Sequence, residues 1–393
     1  MLPFIARATL VLCLLAFLPW AAAAEGPPVR VGLDGEFGLT NSTSAEAIEQ
    51  GIRTAIDEIN RAGGVLGGRK LELVTKEHRS MPARGIKNIR EFAAMPDLVA
   101  VFGGRFSPVV IEELPTLKET KTLFLAPWSS ADAIIDNGME PNYAFRLSLR
   151  DSLAMPFMLK HAGQVGAKKV GLLLTNTAWG RSNLASAERY FAAGGGPSSA
   201  ATVWYNWRDA SLIDKYEALE RAGAEAVILV ANDDEAAILV KEVAALPKER
   251  RRPIISHWGI TGGDFVGQAG PALHEVDFTV IQTVSLFRAD PAKVAEVMET
   301  TGRLFGIARV EEIRSPVGFV HAYDLTHILA RAIDIAGTTD RASVRDALEK
   351  VEDYKGLVKH FEHPFTATRH EALGADELLM ARFNRDGVLV PIE

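Results

Sequence analysis

A single cysteine, Cys13, occurs in the 393 residues, and it sits inside an apolar run near the N-terminus. Downstream of that run there is no thiol, which excludes a disulfide framework, zinc–thiolate and iron–sulfur sites, and thiol catalysis. Long blocks of like charge are also missing. With 43 Lys and Arg against 50 Asp and Glu, the net charge of −7 argues against nucleic acid or an anionic membrane surface as the main partner. The only sustained apolar run, Ala8 to Leu18, is too short to span a bilayer comfortably. Two catalytic signatures are absent as well. The glycines after the first strand, Gly32, Gly35 and Gly38, are spaced GxxGxxG rather than as the dinucleotide pattern GxGxxG, and no GxSxG elbow occurs.

What is present at the start reads as a secretory leader over 1–24: one charge at Arg7, the apolar run, then small residues (Ala21 to Ala24) that suit a signal peptidase. The mature chain is then expected to be secreted, with no membrane insertion after cleavage. It enters an oxidising compartment without cysteine, which a large protein with ample core tolerates.

From Val29 onward, short apolar runs alternate with helical patterns. VRVGL, KLELVT, LVAVF and TLFLA read as strands, and Ala45, Ile48, Ile52, Ala55, Ile56 and Ile59 fall at helical spacing between the first two. Thr43-x-x-Glu46 has the form of a capping box ahead of that helix. The rhythm resumes with VGLLLT, ATVWYN, AVILV and PIIS. Alternation of this length predicts parallel sheets covered on both faces, and two runs of it predict two doubly wound, Rossmann-like α/β lobes. The last third is expected to complete both: DFTVIQTV as a strand, helices from Pro291 and from Pro316 (with Ser315 as its cap), and a terminal hairpin around NRDG.

In doubly wound sheets ligands bind outside the carboxyl ends of the strands. The segments at those ends are DGEFG, GGRFSP, APWSSAD, TNTAWGRS, ANDDE and HWGITGG. They bring forward Ser107, Ser129, Ser130, Asn232 and Asp233, and three of the six tryptophans, Trp128, Trp179 and Trp258. Loop serines and a helix N-terminus near Pro108 suit a carboxylate. Single loop serines are more often simple caps, so it is the convergence that singles out the set. His321-x-x-Asp324-x-x-His327 has metal-like spacing, but lies in a core-patterned helix, and His257 lacks a paired nucleophile; neither argues for a metal or for catalysis.

The stretch GIRTAIDEINRAGGVLGGRKLELV, with VFGG, LAPWSSAD, YAFRLSLRDS and the ending FTATRHEALGADELLMARFNRDG, resembles the leucine/isoleucine/valine-type substrate-binding proteins of ABC importers. The resemblance spans essentially the whole mature chain. It implies a type I periplasmic binding protein: two lobes joined by a three-crossover hinge, monomeric and without cofactor. The partners it implies are a small-molecule ligand and an ABC permease in the inner membrane. A membrane signalling protein is the alternative partner, and a secreted enzyme the remoter alternative. Crossings are expected near Arg146–Asp151, Glu275–Asp277 and Lys355–Val358. That division gives 29–146 plus 277–355 as the first lobe and 147–276 plus 356–393 as the second.

Carried over to this chain, Ser107 matches the serine that holds a ligand carboxylate, and Ser129 and Ser130 match the pair that takes an ammonium. Trp179, before Gly180, replaces a pocket tyrosine; Asn232 or Asp233 falls where another aromatic stands. Trp258 occupies the place where amino-acid binders put a glutamate. A buried ammonium without a carboxylate costs several kcal/mol, on the order expected for an unpaired buried ion. Either Asp233 or Glu36 therefore substitutes, or the ligand carries no ammonium. Trp128, Trp179 and Trp258 are expected to form an aromatic box, with Arg105 either meeting a carboxylate or pairing across the lobes.

Overall fold

The computed structural model describes residues 26–392, so the expected leader and Cys13 lie outside the described residues. The first lobe opens with β1 (Val29–Gly35), α1 (Ser44–Arg61), β2 (Leu71–Glu77), α2 (Pro82–Ala93) and β3 (Leu98–Gly103). It continues with α3 (Ser107–Thr120), β4 (Leu123–Ala126) and β5 (Ala144–Arg146). The five strands pair in parallel in the order β2-β1-β3-β4-β5. Every residue of β3 and β4 is buried, as expected for a sheet covered on both faces.

The second lobe begins with α4 (Asp151–Gln164), β6 (Lys169–Thr175), α5 (Ala178–Ala193), β7 (Ser198–Tyr205) and α6 (Ile213–Arg221). It proceeds through β8 (Ala226–Val230), α7 (Asp233–Ala244), β9 (Ile254–Ser256), α8 (Phe265–Ala269) and β10 (Phe278–Gln282). The chain then returns to the first lobe with α9 (Pro291–Phe305), α10 (Pro316–Ala336) and α11 (Arg341–Leu348). α9 and α10 pack on α1. A short ladder, β11 (Tyr354–Lys355) with β12 (His360–Phe361), follows. The hairpin of β13 (Leu379–Phe383) and β14 (Leu389–Pro391) closes the second sheet, whose order is β14-β13-β10-β9-β8-β6-β7. No helix among the described residues is long and apolar enough to cross a membrane.

Two of the expected crossings move. β10 pairs in parallel with β9 and antiparallel with β13, so 278–282 belongs to the second sheet and not, as expected, to the first lobe. The crossing falls after Gln282. The ladder of β11 and β12 straddles the position expected for the third crossing. It stays with the first lobe because Asp324 of α10 accepts hydrogen bonds from the backbone N–H groups of Leu357 and Val358 at 2.9 and 3.0 Å and from the Tyr354 hydroxyl at 2.8 Å. The last transfer comes later, where Glu371 runs parallel to Arg146 at the edge of the first sheet.

That edge is held by charge. Arg146, fully buried, donates from Nε and Nη2 to the Glu371 carboxylate at 2.8 and 2.5 Å. Its remaining Nη1 donates to the carbonyls of Ser129 and Ala131 at 3.2 and 2.9 Å. One guanidinium therefore ties two connecting strands to the loop that follows β4.

Two expected helix caps are not made. The Thr43 side chain does not cap α1, and Ser315, the residue before α10, has a left-handed backbone (φ 51°) without a side-chain cap bond. Instead the two hydroxyls lie 2.7 Å apart, and Ser315 donates to the Thr261 carbonyl of the other lobe at 2.7 Å.

Candidate functional site

The carboxyl ends of β1, β3 and β4 face those of β6, β8 and β9, and the lobes are closed on each other. Thr43 N–H donates to the Gly262 carbonyl at 2.9 Å, and Asp264 N–H to that of Asn41 at 3.0 Å. Ser42 and Gly263 form a two-residue antiparallel bridge across the cleft. Arg105 Nη1 reaches Asp233 Oδ1 at 3.0 Å, and Asp132 N–H reaches the Ser182 hydroxyl at 3.2 Å.

The glycines of HWGITGG make this approach sterically possible. A Cβ at Gly259 would lie 2.6 Å from both the Ala231 carbonyl and the Trp179 ring. At Gly262 it would lie 2.0 Å from Arg105 Nη1, and at Gly263, 1.9 Å from Asp233 Oδ2. At Gly262 and Gly263 bare backbone lets Arg105 and the Asn41 carbonyl of the opposite lobe approach, and at Gly259 and Gly263 it makes room for Trp179 and Asp233 of the same lobe.

Between the lobes lies a small cavity. The first lobe lines it with Arg105, Ser107, Trp128 and Ser130, the second with Trp179, Asn232 and Trp258. Its volume in this closed arrangement is about 10 Å³, room for about one water molecule. A larger occupant enters only as the lobes or the side chains part.

The aromatic residues are in mutual contact. Trp128 and Trp258 lie 5.9 Å apart with planes tilted by 53°. Trp258 also packs 5.7 Å from His321, whose pKa burial pulls down to about 4. The neutral His321 ring bridges Pro127 O and the Thr283 hydroxyl, each at 2.9 Å, as a spacer behind Trp258. Its helical neighbours at metal-like spacing are engaged elsewhere: Asp324 holds the β11–β12 ladder, and His327 pairs with Glu58 at 3.2 Å.

Three positions from the sequence fall outside the lining. Ser129 donates its hydroxyl to the Gly104 carbonyl at 2.6 Å, which fixes the loop from behind. Asp233 is occupied by Arg105; burial outweighs the guanidinium and pushes its carboxyl above the ordinary range. Glu36 turns into the first lobe, where it accepts the Ser44 hydroxyl and faces His78 Nε2 at 3.7 Å. It is fully buried and does not reach the cavity, so Glu36 is not available to a ligand there.

Phe106 and Trp207 join the lining without having been singled out in the sequence. Their rings meet edge to face at 5.4 Å, and Arg105 stacks 4.7 Å over Phe106. Phe106 lay inside the quoted strand-end segment GGRFSP. Trp207 follows β7 at the sheet edge, whose carboxyl end is not among the strand-end segments taken from the sequence. Asp151, behind the cavity, accepts hydrogen bonds from Trp179 Nε1 at 3.3 Å and, through the same oxygen, pairs with His257 Nε2 at 3.2 Å. That contact fixes the Trp179 ring.

The cavity is electrostatically one-sided. The first-turn residues Ser107 and Pro108 of α3, Trp179 of α5 and the residue before α7, Asn232, all lie on its wall, so three helix N-termini converge there. Among the described residues no aspartate or glutamate lines it. Two buried donors on its wall, Arg105 Nε and Trp207 Nε1, have no hydrogen-bond partner among those residues.

The family follows from the fold and the match to known proteins together. A periplasmic binding protein family model matches residues 28–387. The chain belongs to this family. It is 23% identical over 335 residues to the Leu/Ile/Val-binding protein homolog 1 of Brucella suis biovar 1 (strain 1330), covering 84% of each chain. Its fold superimposes on a type 1 periplasmic binding protein from Bordetella pertussis Tohama I with a TM-score of 0.82 at 19% identity, covering 93% of this chain and all of that one. A solute-binding protein from R. palustris, solved with 4-hydroxybenzoate, superimposes with a TM-score of 0.76 at 17% identity over 94% of this chain and 96% of that one.

Proposed function

We propose that this protein is a periplasmic receptor that captures a small organic carboxylate with an apolar or aromatic body by closure of its two lobes, and delivers it to an ABC-type import permease. The observation that carries the ligand class is the donor-rich, acid-free wall of the cleft. Arg105 Nε and Trp207 Nε1 are buried and unpartnered, Ser107 stands at a helix N-terminus, and Asp233 is already paired with Arg105. An anion gains from each of these groups; an ammonium finds no counter-charge. Trp128, Trp179, Trp258, Trp207 and Phe106 supply flat apolar surface for the ligand's body. The aromatic carboxylate bound by the R. palustris relative is in keeping with this, and the branched-chain specificity named for the Brucella relative is not.

Closure is the mechanism. Ligand contacts to both lobes raise the closed population by the difference in affinity between the two states. The membrane partner then meets the closed form.

The test is a thermal-shift screen of protein refolded from denaturant, which removes any co-purified ligand. The panel sets benzoate, 4-hydroxybenzoate and hexanoate against leucine, isoleucine and benzamide. A ligand at a thousand times its Kd adds about 4 kcal/mol of stability. A shift with carboxylates alone is expected. A shift with leucine and not with the simple acids overturns the ligand class while leaving capture by closure standing.

A further inference from the structure

A second cavity, of about 380 Å³, lies apart from the tryptophan-lined cleft, beside the connection that follows β10. Its wall combines Val284 and Leu286 of that connection, Phe265 and Leu389 of the second lobe, and Val310 and Ile313 of the first. At that size it far exceeds one water's share of liquid volume, about 30 Å³.

Its wall is mostly apolar, and two of its buried polar groups have no hydrogen-bond partner among the described residues. Gln282 is 1% exposed and lines the cavity; its amide N–H donates to the Ile281 carbonyl at 2.6 Å, and its Oε1 has no partner. The Ser285 hydroxyl, also on the wall, is buried and unpartnered. The charged residues of the wall, Asp264, Glu311, Arg314 and Asp386, are all exposed, so they sit at the mouth, and acids outnumber the single base. A carboxylate would meet that acidic rim. An ammonium would trade its hydration for one neutral carbonyl with no buried carboxylate beside it.

We propose that this cavity is a second ligand site, for a small neutral amphiphile with an unbranched apolar body and one primary amide. An amide N–H is donated to Gln282 Oε1, the Ser285 hydroxyl donates to the amide oxygen, and the chain lies among the aliphatic side chains. The acceptor requires a donor on the occupant, since a buried carbonyl oxygen is satisfied by an N–H or O–H and by nothing apolar, and a primary amide adds a carbonyl that takes the Ser285 hydroxyl. Residues of both lobes form the wall, so the occupant fits the arrangement seen here.

The experiment is calorimetric titration of the full mature protein with hexanamide and with methyl hexanoate, which has the same chain and no donor. One site per molecule is expected, with hexanamide about tenfold tighter than the ester. Gln282→Leu should reduce hexanamide to the ester's affinity. Leu389→Trp, which fills the cavity, should abolish both. Equal affinities for amide and ester overturn the proposal, as does no binding of hexanamide at millimolar concentration. Undiminished hexanamide binding in a folded Leu389→Trp also overturns it, by placing the probe outside this cavity. Gln282→Leu adds no bulk and carries the test if Leu389→Trp does not fold.

Discussion

Removing the Glu371 carboxylate should unfold this protein far more readily than its place on a short connecting strand suggests. The Arg146 side chain is fully buried and that of Glu371 is 9% exposed. Glu371→Ala leaves the backbone bonds of that strand in place, Arg146 N–H to His370 O at 2.8 Å and Ala372 N–H to Arg146 O at 2.9 Å. What it removes is both charge-assisted bonds to the guanidinium, which keeps only the Ser129 and Ala131 carbonyls. A buried arginine stripped of its counter-ion costs about 3–5 kcal/mol. Because the denaturant slope rises with chain length, in urea that corresponds to a midpoint lower by roughly 1 M or somewhat less, read by tryptophan fluorescence. The double variant Arg146→Leu, Glu371→Leu removes both charges and should recover most of the loss, because no ion is left without a partner. If Glu371→Ala unfolds within about 0.5 kcal/mol of the parent, or the double variant is worse than the single one, the pair does not hold this edge as argued.

Arg105→Met should weaken carboxylate binding by about tenfold to a hundredfold in calorimetric titration, the range for a charged hydrogen bond. Gly263→Ala should lower ligand affinity and enlarge the radius of gyration in solution scattering with ligand, since its Cβ would lie 2.7 Å from the Asn41 carbonyl of the opposite lobe. An unchanged affinity would show that closure does not pass through this contact. Asp34 concerns pH: burial lifts its carboxyl to about 7, and Glu113 beside it is raised well above its ordinary value by the same cause. A carboxyl raised in the folded state favours folding below its unfolded pKa and loses that contribution as pH climbs through 7. Asp34→Asn should therefore gain stability relative to the parent as pH rises from about 4 to 8, measured as the difference of denaturation midpoints. A difference independent of pH would refute the shift.

The sequence alone decided whatever is local. Ile48, Ile52, Ala55 and Ile59 recur on one helical face, VGLLLT and AVILV are strands short enough to be buried, and strand-end loops carry Ser107, Trp128, Trp179 and Trp258 because parallel sheets gather those loops at one edge. Two doubly wound lobes follow from that rhythm without any knowledge of contacts. Which sheet a strand joins is another matter. Nothing in FTVIQ says that it pairs with Ile254–Ser256 and with a hairpin nearly a hundred residues later, and so the second crossing was placed too early. The same holds for side chains that face two ways. Glu36 follows the first strand just as a pocket residue should, but Ser44 and His78 draw it inward. Thr43 and Ser315 have the sequence of caps, but their hydroxyls meet each other and that of Ser315 reaches across the cleft to Thr261. Trp207 and Phe106 become one wall only when the lobes close. Periodicity is a property of neighbours along the chain, whereas pairing, burial and the direction of a polar side chain are settled by residues distant in sequence, which only the tertiary structure brings together.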